Sequence, residues 1–158
     1  MQKICNTIPP EIGDDEFLYR SVSEMNWNTQ ENRVSSSAFK NKDGVSVDRD
    51  ALFRTEQECV NALVERFNHR AICKIKAQDV RFARALPKYL PTSDNQYHSE
   101  IHGSVADKNL KNSVVKAISK KVIVVYVKSK SVSTNEQLSA NTIYQLQPQT
   151  NLYETNEE

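Results

Sequence analysis

His98, Glu100 and His102 recur at every second position, and this spacing is the first chemical signal in the chain. On a strand all three side chains would share one face. Two imidazoles and a carboxylate so placed can exchange protons or ligate a metal; the same residues can also stand as ordinary surface polar groups. We take the proton-exchange reading, with His98 and Glu100 as catalytic candidates and no metal expected. Asp48, in the run Asp48-Arg49-Asp50, is the carboxylate that would orient His98, although such residues also close turns. Arg20 and Arg81 are the candidate anion holders, because a guanidinium presents paired donors to phosphate oxygens. Ser36, Ser37 and Asn95 complete the candidate substrate-binding set. His69 follows a predicted helix, where a cation complements the negative end of the dipole.

Charge is unevenly spread along the chain. Seven lysines and no acid lie between Lys108 and Lys130, and four glutamates and no base follow from residue 131 to the end. Lys108, Lys111, Lys116 and Lys120 could meet a nucleic-acid backbone or simply form a solvated face. No aromatic is interleaved with them in their predicted helix, so base stacking has no support there. Three glycines stand far apart. This excludes the GxxxxGK[ST] loop and the GxGxxG turn, the two commonest glycine-based nucleotide cradles. The three cysteines show no CxxC or metal-ligand grouping. That pattern predicts free thiols in a reducing cytosol. The N-terminus lacks the apolar core of a signal peptide, and the longest apolar run, Val122 to Val127, is far below the roughly 20 residues a bilayer needs. No cofactor is pointed to.

These groups need elements to position them. Residues 16–22 alternate as a first strand, with Phe17, Tyr19 and Ser21 on one face. Trp27 anchors a polar loop. Residues 33–48 read as a hairpin around Asn41–Gly44, since Asp-Gly before an alternating run is a hairpin signal. Thr55 and Glu58 form a capping box for a helix over 56–67, with Val60, Leu63, Val64 and Phe67 as its apolar face. Ala71–Ile75 is a strand with Ala71, Cys73 and Ile75 on one side. A short helix or turn follows, and Pro87 and Pro91 enforce extended chain between them. Residues 97–102 form a strand. A second helix runs over about 106–119, capped by Ser104 or Asp107, with Leu110, Val114, Ala117 and Ile118 buried. Lys121–Lys128 reads as a central strand because its apolar run is continuous.

In order, the motifs FLYRSV, SSSAF, GVSVDRDAL, KAQDVR and DNQYH, and then Gly103, resemble a group of short uncharacterised bacterial proteins over about residues 16–121. The resemblance implies that Arg20, Ser36, Ser37, Phe39, Ser46, Asp48, Arg81, Asn95 and His98 occupy that group's motif positions. It carries no activity with it, and Glu100 and His102 fall outside its pattern. The succession Arg20, Ser36 or Ser37, and Glu100 is also similar to the Arg–Ser–Glu pattern of ADP-ribosyltransferases. There the Arg grips NAD phosphate, the Ser holds the nicotinamide ribose and the Glu steadies the cationic sugar. That family's ExE or QxE is HSE here.

The elements mix strands and helices around a hairpin, which predicts an α+β fold with a mixed or antiparallel sheet and two main helices. One domain is expected over 1–130, followed by a flexible acidic tail over 131–158, whose Ser-, Thr-, Asn- and Gln-rich composition offers little to bury. The expected activity is binding of, or action on, a nucleotide or nucleic-acid phosphate. The alternative is a non-catalytic protein-interaction module of a multi-gene bacterial system.

Overall fold

The computed structural model describes residues 7–130, so the expected tail over 131–158 lies outside the described residues, as does Cys5. Eight strands and three α-helices occur among the described residues. They are β1 (Phe17–Val22), β2 (Trp27–Asn28), β3 (Arg33–Val34), β4 (Val45–Arg49), α1 (Glu56–Arg66), β5 (Ala71–Lys76), α2 (Ala77–Phe82), β6 (Leu86–Tyr89), β7 (His98–His102), α3 (Asn112–Ser119) and β8 (Ile123–Val127). Six strands form one sheet in the order β6-β7-β4-β1-β5-β8, with every pairing antiparallel. The expected α+β class is what the chain adopts. No helix among the described residues is long and apolar enough to cross a membrane.

The two sheet faces have different covers. Leu18, Val22, Val45, Val47, Ala71, Cys73, Ile75 and Ile101 point to the first face and join the main core. That core takes in Phe39, Val115 and Ile118 from the elements packed over it. On the second face, Cys59, Val60 and Leu63 of α1 pack against Tyr19 and Ile72. Helix α1 starts as its sequence demands: Thr55 Oγ accepts from the Glu58 amide at 3.2 Å, and the Glu58 carboxylate accepts from the Thr55 amide at 2.7 Å. Its buried stripe is turned from the expected one. Cys59 is fully buried, whereas Val64 and Phe67 remain about 40% exposed.

Three expectations are corrected. Residues 33–48 form no hairpin: Ser36–Phe39 is a 3₁₀ turn, β3 pairs with β2, and β4 pairs with β1 and β7. The Asp-Gly turn itself is present. Asn41 Oδ1 accepts from the Asp43 amide at 2.9 Å and Gly44 sits at φ +94°, but the turn links a 3₁₀ segment to a strand. A Cβ on Gly44 would also lie 2.7 Å from Glu100 Oε2, so that carboxylate would have to move. Strand β8 is an edge strand rather than a central one, with Ile123 52% exposed. The second main helix begins at Asn112, six residues later than expected, after a turn in which Ser104 Oγ accepts from the Asp107 amide. Val115 and Ile118 are its fully buried residues.

Arg49 is fully buried on the first face. Its Nε donates to Glu16 Oε2 at 2.7 Å, its remaining nitrogens reach the Pro9 and Glu11 carbonyls, and its guanidinium lies 4.7 Å from the Tyr89 ring centroid. Glu16 Oε1 also accepts from the Gly13 amide at 2.9 Å. The arm ahead of β1 is thereby fixed to the sheet. Removing one partner of a buried ion pair leaves an uncompensated charge, at a cost of about 3–5 kcal/mol. Glu16→Ala should therefore lower the unfolding free energy in urea by an amount of that order. Glu31→Ala, which breaks the exposed pair with Arg33, should change it by at most about 1 kcal/mol.

Candidate functional site

Helix α1 covers only part of the second face. Beside it, β1, β4 and β7 present polar residues to a cavity of about 430 Å³, closed on another side by the loop carrying Thr92, Asp94 and Asn95. Antiparallel register sets its floor: Tyr19 lies opposite Asp48, and Asp48 opposite His98. Residues opposite one another share a face, so these three side chains stand in a row.

Asp48 is 3% exposed. Its Oδ1 accepts from Asn95 Nδ2 at 2.8 Å, and its Oδ2 accepts from Arg66 Nη1 at 3.2 Å. Asn95 Oδ1 in turn accepts from the Tyr97 amide at 3.1 Å, which fixes the loop ahead of β7. Arg66 reaches the cavity from the last turn of α1 and keeps about a third of its side chain exposed. At the far side of the cavity, Ser21 Oγ and His69 Nδ1 are 2.8 Å apart, and the His69 ring stacks on Phe67 with centroids 5.1 Å apart.

The cavity gathers four of the expected site residues, Arg20, Asp48, Asn95 and His98. Arg20 is present differently from the others. Its Nε donates to the Ala38 carbonyl and its Nη1 to the Ser46 carbonyl, both at 2.7 Å, and its guanidinium lies over Phe39. Burial lowers its pKa from the ordinary value. Arg20 thus ties the 3₁₀ turn to β4 instead of offering a free fork to an anion. Ser37 Oγ donates to Asn26 Oδ1 at 2.8 Å, and Ser36 lies in the same turn. Arg81 binds Asp14 and the Ile12 carbonyl and so holds the arm. Ser36, Ser37 and Arg81 do not line the cavity.

His98, Glu100 and His102 share the second face as expected, yet they divide into two groups. His98 lines the cavity. Glu100 accepts from His102 Nε2 at 2.5 Å and lies 3.7 Å from His98 Nε2, outside the lining. Among the described residues no group of three or more His, Cys, Asp or Glu side chains is placed to hold a metal ion. Burial pushes the Cys59 thiol up to about 11 and the Cys73 thiol up to about 12, so neither supplies a thiolate at neutral pH. Lys108, Lys111, Lys116 and Lys120 are exposed, and α3, which carries Lys116, packs with the 3₁₀ turn and the main core of the first face. The cavity opens on the second face.

Sequence reasoning missed Arg66, Ser21 and His69. Arg66 had a legible signal, since it lies one turn beyond Leu63 on the margin of the apolar stripe. The meeting of Ser21 with His69 depends on the pairing of β1 with β5, which no local pattern states. No protein-family model matches the chain, and no curated protein or solved structure is significantly similar to it.

Burial alone would raise the Glu100 carboxyl. The hydrogen bond from His102 and the charges of His102, Lys108 and His98 outweigh it and hold the group below its ordinary 4.5. A carboxyl depressed in the folded state adds stability that is whole above its unfolded pKa and is lost as pH falls through the folded value. Glu100→Gln removes that contribution. Its urea-unfolding free energy should therefore fall less steeply than that of the parent as pH drops below about 4.5.

Proposed function

We propose that the cavity on the second face binds the phosphate of a nucleotide or nucleic-acid fragment, with Arg66 as the anion holder and His98 as the proton-exchanging group. The observation that carries this reading is the buried Asp48, which holds Arg66 in the cavity wall while standing opposite His98. A guanidinium has five donors, so a contact with one carboxylate oxygen leaves others for an oxyanion. The volume falls within the roughly 300–1,000 Å³ of small-molecule sites. Phe67, 39% exposed in the lining, supplies flat apolar surface for a base.

Phosphate-ester chemistry is favoured over ADP-ribosyl transfer for a spatial reason. Ser37 is committed to Asn26, Glu100 to His102, and Arg20 Nε and Nη1 to backbone carbonyls. The two buried cysteines, both free thiols, suit work in a reducing cytosol.

The interaction-module reading also has an observation in its favour. Among the described residues strand β8 is an edge with Ile123, Val124 and Val127 exposed between Lys121 and Lys128, and an apolar edge is a template for another strand. Calorimetric titration with uridine monophosphate separates the two. On the first reading the nucleotide binds, and His98→Ala and Arg66→Gln each weaken binding at least about tenfold, roughly 1.4 kcal/mol. His98→Ala should leave the melting temperature nearly unchanged, because the ring lines the cavity rather than the core. Absence of nucleotide binding at millimolar concentration would leave the interaction module standing. An equal loss of folding in His98→Ala would mark His98 as a packing residue.

A further inference from the structure

Two histidines, His69 and His98, line the same cavity from different elements. Register gives their separation. Ser21, which touches His69, is two residues along β1 from Tyr19, and Tyr19 leads across β4 at Asp48 to β7 at His98. Two strand spacings of about 4.8 Å and one two-residue step of about 6.8 Å put the Ser21 and His98 backbones on the order of 12 Å apart. The two imidazoles thus line one cavity from different elements, His69 beside Ser21 ahead of β5 and His98 on β7. Arg66 enters from α1 over the same space.

Resting on the phosphate-site reading, we propose that His69 and His98 are a paired general base and general acid that cleave a phosphodiester next to a free hydroxyl, as in an RNA strand. His69 takes the base role. Its Nδ1 meets the neutral Ser21 hydroxyl and its ring is held flat against Phe67, so the imidazole is oriented without a carboxylate partner. His98 takes the acid role, because Asp48 and Glu100 stand beside it to steady a positive ring.

The step balances without any further reactant. The ribose 2′-oxygen loses its proton to His69 and forms a bond to phosphorus. The bond from phosphorus to the 5′-oxygen breaks, and its electron pair stays on that oxygen, which takes a proton from His98. The products are a 2′,3′-cyclic phosphate and a free 5′-hydroxyl. Arg66 faces the charge that gathers on the non-bridging oxygens. Ser21 is a positioning residue that acts through His69.

The test uses the full chain with the dinucleoside phosphate UpA and its 2′-deoxy analogue dUpA, following products by chromatography and binding by calorimetry. The expected result is cleavage of UpA to cyclic uridine phosphate and adenosine, with dUpA bound but intact. His69→Ala and His98→Ala should each lose at least about 10²-fold in cleavage rate, the usual scale of one acid or base. His69→Ala should bind dUpA as the parent does and His98→Ala about tenfold more weakly, and Lys116→Gln, on the other face, should cleave at the parental rate. Ser21→Ala should lower the rate less than His69→Ala does. If dUpA binds but UpA is not cut, the acid–base pairing is wrong while the phosphate site stands. If neither dinucleotide binds, both readings fall. Cleavage that persists undiminished in the histidine variants would overturn the pairing as well.

Discussion

Strand β4 ends in two adjacent charges, Asp48 and Arg49, and both are buried. Alternation along a strand sends neighbours to opposite faces, so one backbone segment drives a carboxylate into one layer and a guanidinium into the other. A buried charge without partners is far too costly for a domain of this size, so each demands a dedicated set of hydrogen bonds. Arg49 recruits Glu16 and the Pro9 and Glu11 carbonyls, which fixes the arm ahead of β1. Asp48 recruits Asn95 and Arg66, which fixes the loop before β7 and the end of α1. Arm, loop and helix end are thus positioned by the needs of two residues.

The site follows from how the second face is covered. The apolar stripe of α1 is short, and it seats on Tyr19 and Ile72. It leaves the β4 and β7 part of that face uncovered, where the outward residues are Ser46, Asp48, His98 and Glu100. A sheet face that is half covered and half polar forms a cleft at the boundary, and Arg66, at the end of the covering helix, overhangs it. Lys116 of α3 belongs to the other layer, and none of Lys108, Lys111, Lys116 and Lys120 lines the cavity.

Local signals were legible where the physics is local. The capping box placed the start of α1, period-two alternation placed β1, β5 and β7, and Gly44 holds the positive φ that its Asp-Gly turn implied. The errors came where a tertiary choice overrides a local pattern. A continuous apolar run reads as a central strand, but β8 stays at the edge, with a register shift in its pairing to β5 between Ile72 and Cys73. Ser36 and Ser37 read as strand but lie in a 3₁₀ turn, and Ser37 there bonds Asn26. Of the cavity lining, Asp48, Asn95 and His98 are singled out by residue type and motif. Arg66 and the Ser21–His69 pair arise from strand order, which the sequence does not spell out locally.

Asp48 holds Arg66 and stands opposite His98 in the cavity wall, and we propose that this wall binds an oxyanion. The most direct test is an NMR titration of the full chain with uridine monophosphate, following backbone amides together with arginine Nε–H and histidine ring signals. The account predicts shifts in Arg66 Nε–H, the His98 ring and the amides of residues 46–48 and 94–98, with α3 and β8 silent. Shifts confined to α3 and its flanking lysines or to β8, with the Arg66 and His98 signals unmoved, would contradict it.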